Sequence, residues 1–338
     1  MLKFYKFENN VLSLEESGVE NINNLCWVDL INPTKEEDIL VEKLLGISIP
    51  TRSDLHEIEL SNRLYIENGA FYSVVSIVAN IEAKAPEIHS VSFIIKDDKL
   101  ITLRYVDPYP YRNFLINSNH YGIEKNEPNL CIFLGLIEAM INRTADILER
   151  TGHQLDDTNK RLFKSKLKAG ASNKVKSGKK TPPKPKRAIN LEKVLKKIGS
   201  EGDLISKNRE SLVSINRLIS FATQQELFKK NKTLSNRIDS IAKDVSALSD
   251  HASFLNNKVN FLLDTTLGLI SIEQNAIIKI FSVAAVAFLP PTLIASIYGM
   301  NFKAMPELNF QYGYFLALLL IFLSALIPLK YFKKKGWI

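Results

Sequence analysis

Cysteine is scarce in this 338-residue chain: Cys26 and Cys131 are its only two. They are too few and too far apart for a disulfide framework or a structural zinc site, so buried, reduced thiols are expected. Five histidines (His56, His89, His120, His153, His251) are scattered without ligand spacing and read as surface or structural residues. The first 105 residues contain no glycine-rich phosphate loop, no nucleophile elbow and no pair of catalytic carboxylates. An enzymatic reading therefore has nothing to stand on, and no organic cofactor is expected. Lys3 and Lys6 are not followed by an apolar core of signal-peptide length, so the N-terminal part is expected to stay in the cytoplasm.

Charge is missing from two stretches near the C-terminus. Ile280–Tyr298 is an uncharged run of about 19 residues and Tyr312–Leu329 one of about 18, each close to what a helix needs to cross the hydrocarbon core. They predict a transmembrane hairpin after a mostly polar chain. Lys279 precedes the first run, and Lys330, Lys333, Lys334 and Lys335 follow the second. The loop between them has only Lys303, offset by Glu307. This asymmetry places both termini in the cytoplasm and the loop outside. Stepping by threes and fours along the first run gives Asn275, Ile278, Ser282, Ala285, Leu289, Thr292 and Ser296. In lipid such a small-polar stripe is either packed against another helix or wetted by a pore. Pro290-Pro291 removes two backbone donors in mid-span, which is expected to kink or loosen the helix beside Leu289.

A net charge of +8 has an identifiable source, the acid-free tract Lys164–Arg187. It lacks interleaved aromatics for base stacking, so nucleic acid is not the expected partner. The tract reads as a flexible cytosolic linker, with attraction to an anionic lipid surface secondary.

Elsewhere the pattern is informative. Leu2–Phe7, Val11–Leu14 and Leu25–Ile31 predict strands, followed by a helix from Asn32-Pro33-Thr34 to Gly46 with Glu36, Glu37 and Asp38 in its first turns. A short helix is expected over Arg52–Leu60. Further strands are expected at Arg63–Glu67, Ala70–Ala79, Ser90–Lys96 and Lys99–Arg104, with hairpin breaks at Asn68-Gly69 and Asp97-Asp98. Helical spacing then runs from Asn129 to about Phe163, from about Asn190 to Phe228, and from about Thr233 onward without a proline as far as Leu289. A helix of that length, on the order of 100 Å, needs partners along it, which argues for self-association.

Tyr298-Gly299-Met300-Asn301-Phe302 ends the first uncharged run, Met305-Pro306-Glu307-Leu308 lies behind it, and Lys333-Lys334-Lys335-Gly336-Trp337 comes near the end of the sequence. In that setting the residues resemble the signature of the CorA family of magnesium channels. Phe261-Leu262-Leu263-Asp264 and Ile272-Glu273-Gln274-Asn275 extend the resemblance towards the membrane, and the soluble part shares it more loosely. It implies a funnel-shaped homopentamer: an α+β cytosolic domain with a mixed sheet, then long helices, then a two-helix transmembrane hairpin in the cell inner membrane. The corresponding divisions are an α/β domain over 1–128, cytosolic helices over 129–232 with the basic linker at 164–187, a stalk helix over 233–279 and a pore-lining span over 280–300. An external loop over 301–311, a second span over 312–329 and a basic tail over 330–338 complete the chain.

The same resemblance implies uptake of magnesium, with cobalt or nickel passing as well. Gly299, Met300 and Asn301 would form the selectivity filter. Asn275, Phe281, Ala285, Leu289, Thr292 and Ser296 would line the pore, Leu289 and Phe281 as apolar constrictions. Asp264 matches a family position that holds regulatory magnesium between subunits, with Asp54, Glu57 and Glu59 as local candidates for its partner. Expected partners are thus other copies of the chain, divalent cations and membrane lipids. A zinc- or cobalt-directed transporter of the same fold and a membrane-anchored sensor or scaffold are the alternatives.

Overall fold

A computed structural model of the chain describes residues 1–15, 24–56, 59, 63–80, 86–170, 190–300 and 311–337. The fold has two compact units, Met1–Leu262 and Leu263–Ile338.

The first unit is built on a seven-stranded sheet. Its strands are β1 (Leu2–Glu8), β2 (Val11–Glu15), β3 (Leu25–Ile31), β4 (Leu64–Glu67), β5 (Ala70–Ala79), β6 (Glu87–Lys96) and β7 (Lys99–Arg104), in the order β2-β1-β3-β7-β6-β5-β4. Only β3 and β7 pair in parallel; the other neighbours are antiparallel. This is the mixed sheet that the sequence predicts. The β4–β5 turn explains its tight reversal: Asn68 and Gly69 both adopt positive φ, 49° and 75°, the backbone hand that matches strand twist in a two-residue hairpin.

Helix α1 (Lys35–Leu45) starts on a capping box. Thr34 Oγ1 accepts the Glu37 N–H at 3.3 Å, and the Glu37 carboxylate accepts the Thr34 N–H at 2.9 Å. It stops at Gly46, as expected. The short helix expected over Arg52–Leu60 is reduced, among the described residues, to a 3-10 turn at Asp54–His56. There the Asp54 carboxylate reaches back to the Thr51 N–H at 2.7 Å, a local bond that competes with helix propagation.

Helix α2 (Tyr109–Ile116) has no counterpart in the sequence reading. Two prolines and three aromatics obscured it, yet Pro108-Tyr109-Pro110 is a helix-start pattern. Tyr111 and Phe114 hold it on Trp27, with ring centroids 6.3 Å and 6.0 Å away. Four helices complete the unit's framework: α3 (Pro128–Gly170), α4 (Leu191–Gln224), the single turn α5 (Glu226–Lys229) and the start of α6 (Lys232–Tyr298). Gly135 lets α3 close on α2, since a Cβ there would lie 2.6 Å from the Phe114 ring. α3 extends into the tract read as a linker; 171–187 of that tract lies outside the described residues. The helix expected to run from Asn190 to Phe228 breaks at Gln225, which is extended. The break turns Phe228 into the core, 5.9 Å from the Phe71 ring and 5.6 Å from that of Phe133. α6 runs parallel to α3 in this unit, tied by Arg237 to Glu138 (2.6 Å) and by Lys258 to Asp156 (2.7 Å). Both cysteines are buried, and burial pushes the Cys26 thiol up to about 12.

The parallel β3/β7 pair carries a buried ion pair. Arg104 grips Asp29 through Nε at 3.1 Å and Nη2 at 2.9 Å, while Thr102 Oγ1 donates to Asp29 Oδ1 at 2.7 Å and receives the Trp27 indole N–H at 2.9 Å. Burial alone would lower the Arg104 guanidinium, but the hydrogen bonds and charge of Asp29 outweigh it and raise it. Removing one partner strands the other in the core. Asp29→Ala is therefore expected to cost about 3–5 kcal/mol, and Asp29→Ala with Arg104→Met distinctly less than the sum of the two single changes. Thermal or denaturant unfolding of the first unit's signal in the full chain checks both, and additive losses would show that the pair is not coupled.

Candidate ion-conduction site

The second unit contains the end of α6 and helix α7 (Gly313–Lys334), and both helices are long and apolar enough to cross a membrane. α6 continues through Pro290 and Pro291 as one assigned helix. The two prolines offer no N–H to the carbonyls one turn earlier, those of Val286 and Ala287. Beside them the Thr292 hydroxyl donates to the carbonyls of Phe288 (3.0 Å) and Leu289 (2.9 Å). Its single proton is thus committed to the backbone, and the oxygen can only accept from whatever lies outside.

α6 is two-sided here. Val283 and Ala287 are 7% and 9% exposed, and α7 contributes the small buried residues Gly313 and Ala317. With half-covered Pro291, Ile294 and Tyr298 they form one face of α6. Phe281 (71% exposed) and Leu289 (65%), with exposed Ala285, Thr292 and Ser296, form another. On a helix advancing about 100° per residue the two faces are centred about 160° apart. The stripe predicted from sequence lies within the uncovered side except for half-covered Ser282, and that side also takes in Phe288 and Leu293; packing against α7 does not account for the stripe. Asn275, a little earlier on α6, is exposed too.

The two basic ends of the hairpin meet. Lys279 Nζ lies 5.9 Å from the ring centroid of Trp337, which in turn stacks on Phe332 at 5.2 Å. Sequence reading had treated Lys279 and the terminal lysines as separate charges; the Trp after the last lysines is the signal that joins them.

At its other end α6 tightens. The Gly299 N–H donates to the carbonyls of Ala295 (3.0 Å) and Ser296 (3.2 Å), and the Met300 N–H to Ile297 at 3.2 Å. A Cβ on Gly299 would sit 3.3 Å from the Ala295 carbonyl oxygen. Glycine is favoured by that close approach, and no positive φ is involved. Met300 is 44% exposed. Asn301 and the Met305-Pro306-Glu307-Leu308 run lie outside the described residues.

The acids singled out for regulation fall in different units. Asp264 is an exposed residue of the second unit, Asp54 belongs to the first and closes the turn at Thr51, Glu59 is exposed, and Glu57 lies outside the described residues. Among the described residues no group of three or more His, Cys, Asp or Glu is gathered for a metal.

The family model for CorA-like Mg2+ transporter proteins matches residues 23–334. The chain belongs to the CorA family. Its members are transporters rather than enzymes, and two apolar C-terminal helices suit a membrane protein of that kind. A magnesium transport protein CorA from Pasteurella multocida is 32% identical over 343 positions, and one from Escherichia coli K12 is 31% identical over 341, each covering 100% of both chains. The complete structure of the CorA magnesium transporter from Methanocaldococcus jannaschii superposes with a TM-score of 0.74 at 19% identity, covering 100% of this chain and 99% of that one. That likeness shows a shared fold of sheet, long helices and hairpin.

The two faces of α6 differ in what they tolerate. Ala287→Phe is expected to overpack the hairpin and cost about 1–3 kcal/mol, whereas Ala285→Phe on the open face should change hairpin stability by less than about 0.5 kcal/mol. Thermal unfolding of the detergent-solubilised protein in monomeric form distinguishes them. Equal losses would mean that both faces are packed within one chain.

Proposed function

We propose that the chain is a channel for magnesium uptake, formed by five copies that turn the uncovered face of α6 towards a common axis. The observation that carries this reading is the two-sidedness of α6. Phe281, Ala285, Leu289, Thr292 and Ser296 lie opposite the face that α7 covers, so a ring of copies can share them without disturbing the hairpin. Relatives of full length and over 30% identity are named magnesium transport proteins, which supports the ion.

In this channel the ion arrives hydrated. Magnesium gives up its water reluctantly, so a ring of neutral amides that accept hydrogen bonds from its bound water is a fitting first contact, and Asn301 supplies it. Gly299 and Met300 set the turn that presents the amide. Below, the Thr292 oxygens, already committed as acceptors, face the protons of the ion's water shell. Leu289 and Phe281 constrict the lumen with apolar side chains and gate it by excluding water, and Asn275 forms a polar ring beyond them. No acid lies in either span, so the inward pull comes from the membrane potential, about 2.3 kcal/mol per charge per 100 mV. Lys279 and the terminal lysines sit at the cytoplasmic side of the inner membrane, with both termini inside. Cobalt or nickel passes because the filter reads hydrated size and charge. Magnesium bridging Asp264 to Asp54 or Glu57 of a neighbouring copy holds the closed state, and its loss at low internal magnesium shifts the population towards open.

Magnesium uptake into proteoliposomes tests the reading. Asn301→Ala is expected to lower the rate by about 10–100-fold, the worth of a hydrogen bond to a charged partner. Uptake equal to that of the native chain would remove the amide ring. Asp264→Lys is expected to leave uptake running when internal magnesium is high; a response identical to the native one would take Asp264 out of regulation.

A further inference from the structure

The soluble unit contains a second site-like feature that transport does not use. A cleft of about 610 Å³ opens between β5, β6 and α4. One stripe of α4 lines it: Ser206, Arg209, Glu210, Val213 and Arg217 share a face of the helix. Arg63, just before β4, enters from the sheet side. Three guanidinium groups face one carboxylate, so the cleft carries an excess of two positive charges.

Arg63 is poorly satisfied. Its buried Nε has no hydrogen-bond partner among the described residues. Its Nη2 reaches only the hydroxyls of Ser90 at 3.4 Å and Ser76 at 3.5 Å. Burial lowers the basicity of this guanidinium; Glu210 works against the shift and Arg217 adds to it. Arg209 and Arg217 are exposed at the rim and make no ion pair among the described residues. The nearby Lys207, by contrast, is consumed by Asp203 at 2.6 Å and the Pro86 carbonyl at 2.8 Å. A buried donor without an acceptor is costly, and a structure that keeps one at the wall of a charged cleft has a vacancy for an acceptor group.

The geometry points to a binding site for a phosphate group, carried by a nucleotide-sized small molecule. Guanidinium forks match tetrahedral oxyanions with two parallel hydrogen bonds, and the Ser90 hydroxyl adds a donor that can turn towards the anion. Ile88, Ile205 and Val213 form an apolar wall suited to a flat ring. The volume lies within the range of small-molecule sites. Such a ligand would report the cytosolic phosphate or nucleotide supply to the soluble unit, independently of the ion that the membrane unit conducts.

Isothermal titration of the purified full-length chain in magnesium-free buffer, with adenosine monophosphate, inorganic phosphate and adenosine as probes, decides it. Adenosine monophosphate is expected to bind, adenosine not, and inorganic phosphate more weakly because it leaves the apolar wall empty. Phosphate binding as tightly as the nucleotide supports the site with the free ion as its ligand. Arg209→Ala and Arg217→Ala, both at the exposed rim, are each expected to weaken binding about tenfold or more. Arg63→Ala carries a risk to folding, so the rim variants hold the test. Binding unchanged in both overturns the proposal, as does an absence of binding by either phosphate probe. A change in oligomer mass on Arg217→Glu, without phosphate binding, also overturns it and assigns the arginines to a carboxylate of a second copy.

Discussion

Hydrocarbon offers no partner to a backbone amide, and this constraint shapes α6 more than any pairwise contact does. A helix satisfies nearly every N–H and C=O by itself, so the chain can change solvent within one element only if that element stays helical. α6 does so from Lys232 to Tyr298. The exception is the Pro290-Pro291 step, placed in the middle of the uncharged run, where two carbonyls lose their donors. Thr292 next to it uses its hydroxyl on neighbouring carbonyls, which bends helices slightly. The irregularity and the polar oxygen lie on different sides: Ala287 and Pro291 are on the covered face and Thr292 on the open one. A simple anchor has no use for an exposed hydroxyl oxygen in mid-span, whereas in the proposed lumen it meets the hydration shell of the ion.

In the first unit the comparable constraint is charge burial. Asp29 and Arg104 are almost completely buried and are tolerable only because each fills the other's hydrogen-bonding capacity, with Thr102 and Trp27 completing the set. Their position on the parallel pair β3 with β7 matters because a one-residue slip would put the two side chains on opposite faces of the sheet. Electrostatics therefore fixes the register at the place where no hairpin turn can do so. Arg63 shows the opposite case. Its guanidinium is half-buried without a carboxylate in hydrogen-bonding reach among the described residues, and the contrast with Arg104 is what supports reading the cleft beside α4 as the proposed site.

Much of this was readable from the residues. Strand positions followed from alternating runs and turn pairs such as Asn68-Gly69, α1 from Thr34, Glu37 and Gly46, and the hairpin from the absence of charge. The family followed from Gly299-Met300-Asn301 in its setting. What escaped reading depended on tertiary contact. α2 exists because Tyr111 and Phe114 find Trp27, a partner more than eighty positions away in the chain. The break at Gln225 exists because Phe228 is worth more in the core than one continued helical turn. The open face of α6 was visible as a stripe, but its alternative, packing on α7, could be set aside only once Val283 and Ala287 were seen to occupy the contact. The cleft could not be read at all, since Arg63 and Arg217 are far apart in the chain and join only when α4 packs on the sheet.

Gly299 shows how narrow the requirement at the mouth is. The helix does not end there by turning left-handed, the common use of glycine after a helix. Instead the last turn tightens, with the Gly299 N–H shared between the carbonyls of Ala295 and Ser296. A side chain would press on the Ala295 oxygen at 3.3 Å, and relieving that contact would shift the backbone leading to Met300 and Asn301. Because a hydrogen bond to bound water fails over a few tenths of an ångström, such a shift would act on the proposed amide ring more strongly than on the helix itself. In the proposed channel the glycine is thus a positioning residue for the neighbour two places on, which would explain why the three residues form one motif although only the last carries a group suited to a hydrated ion.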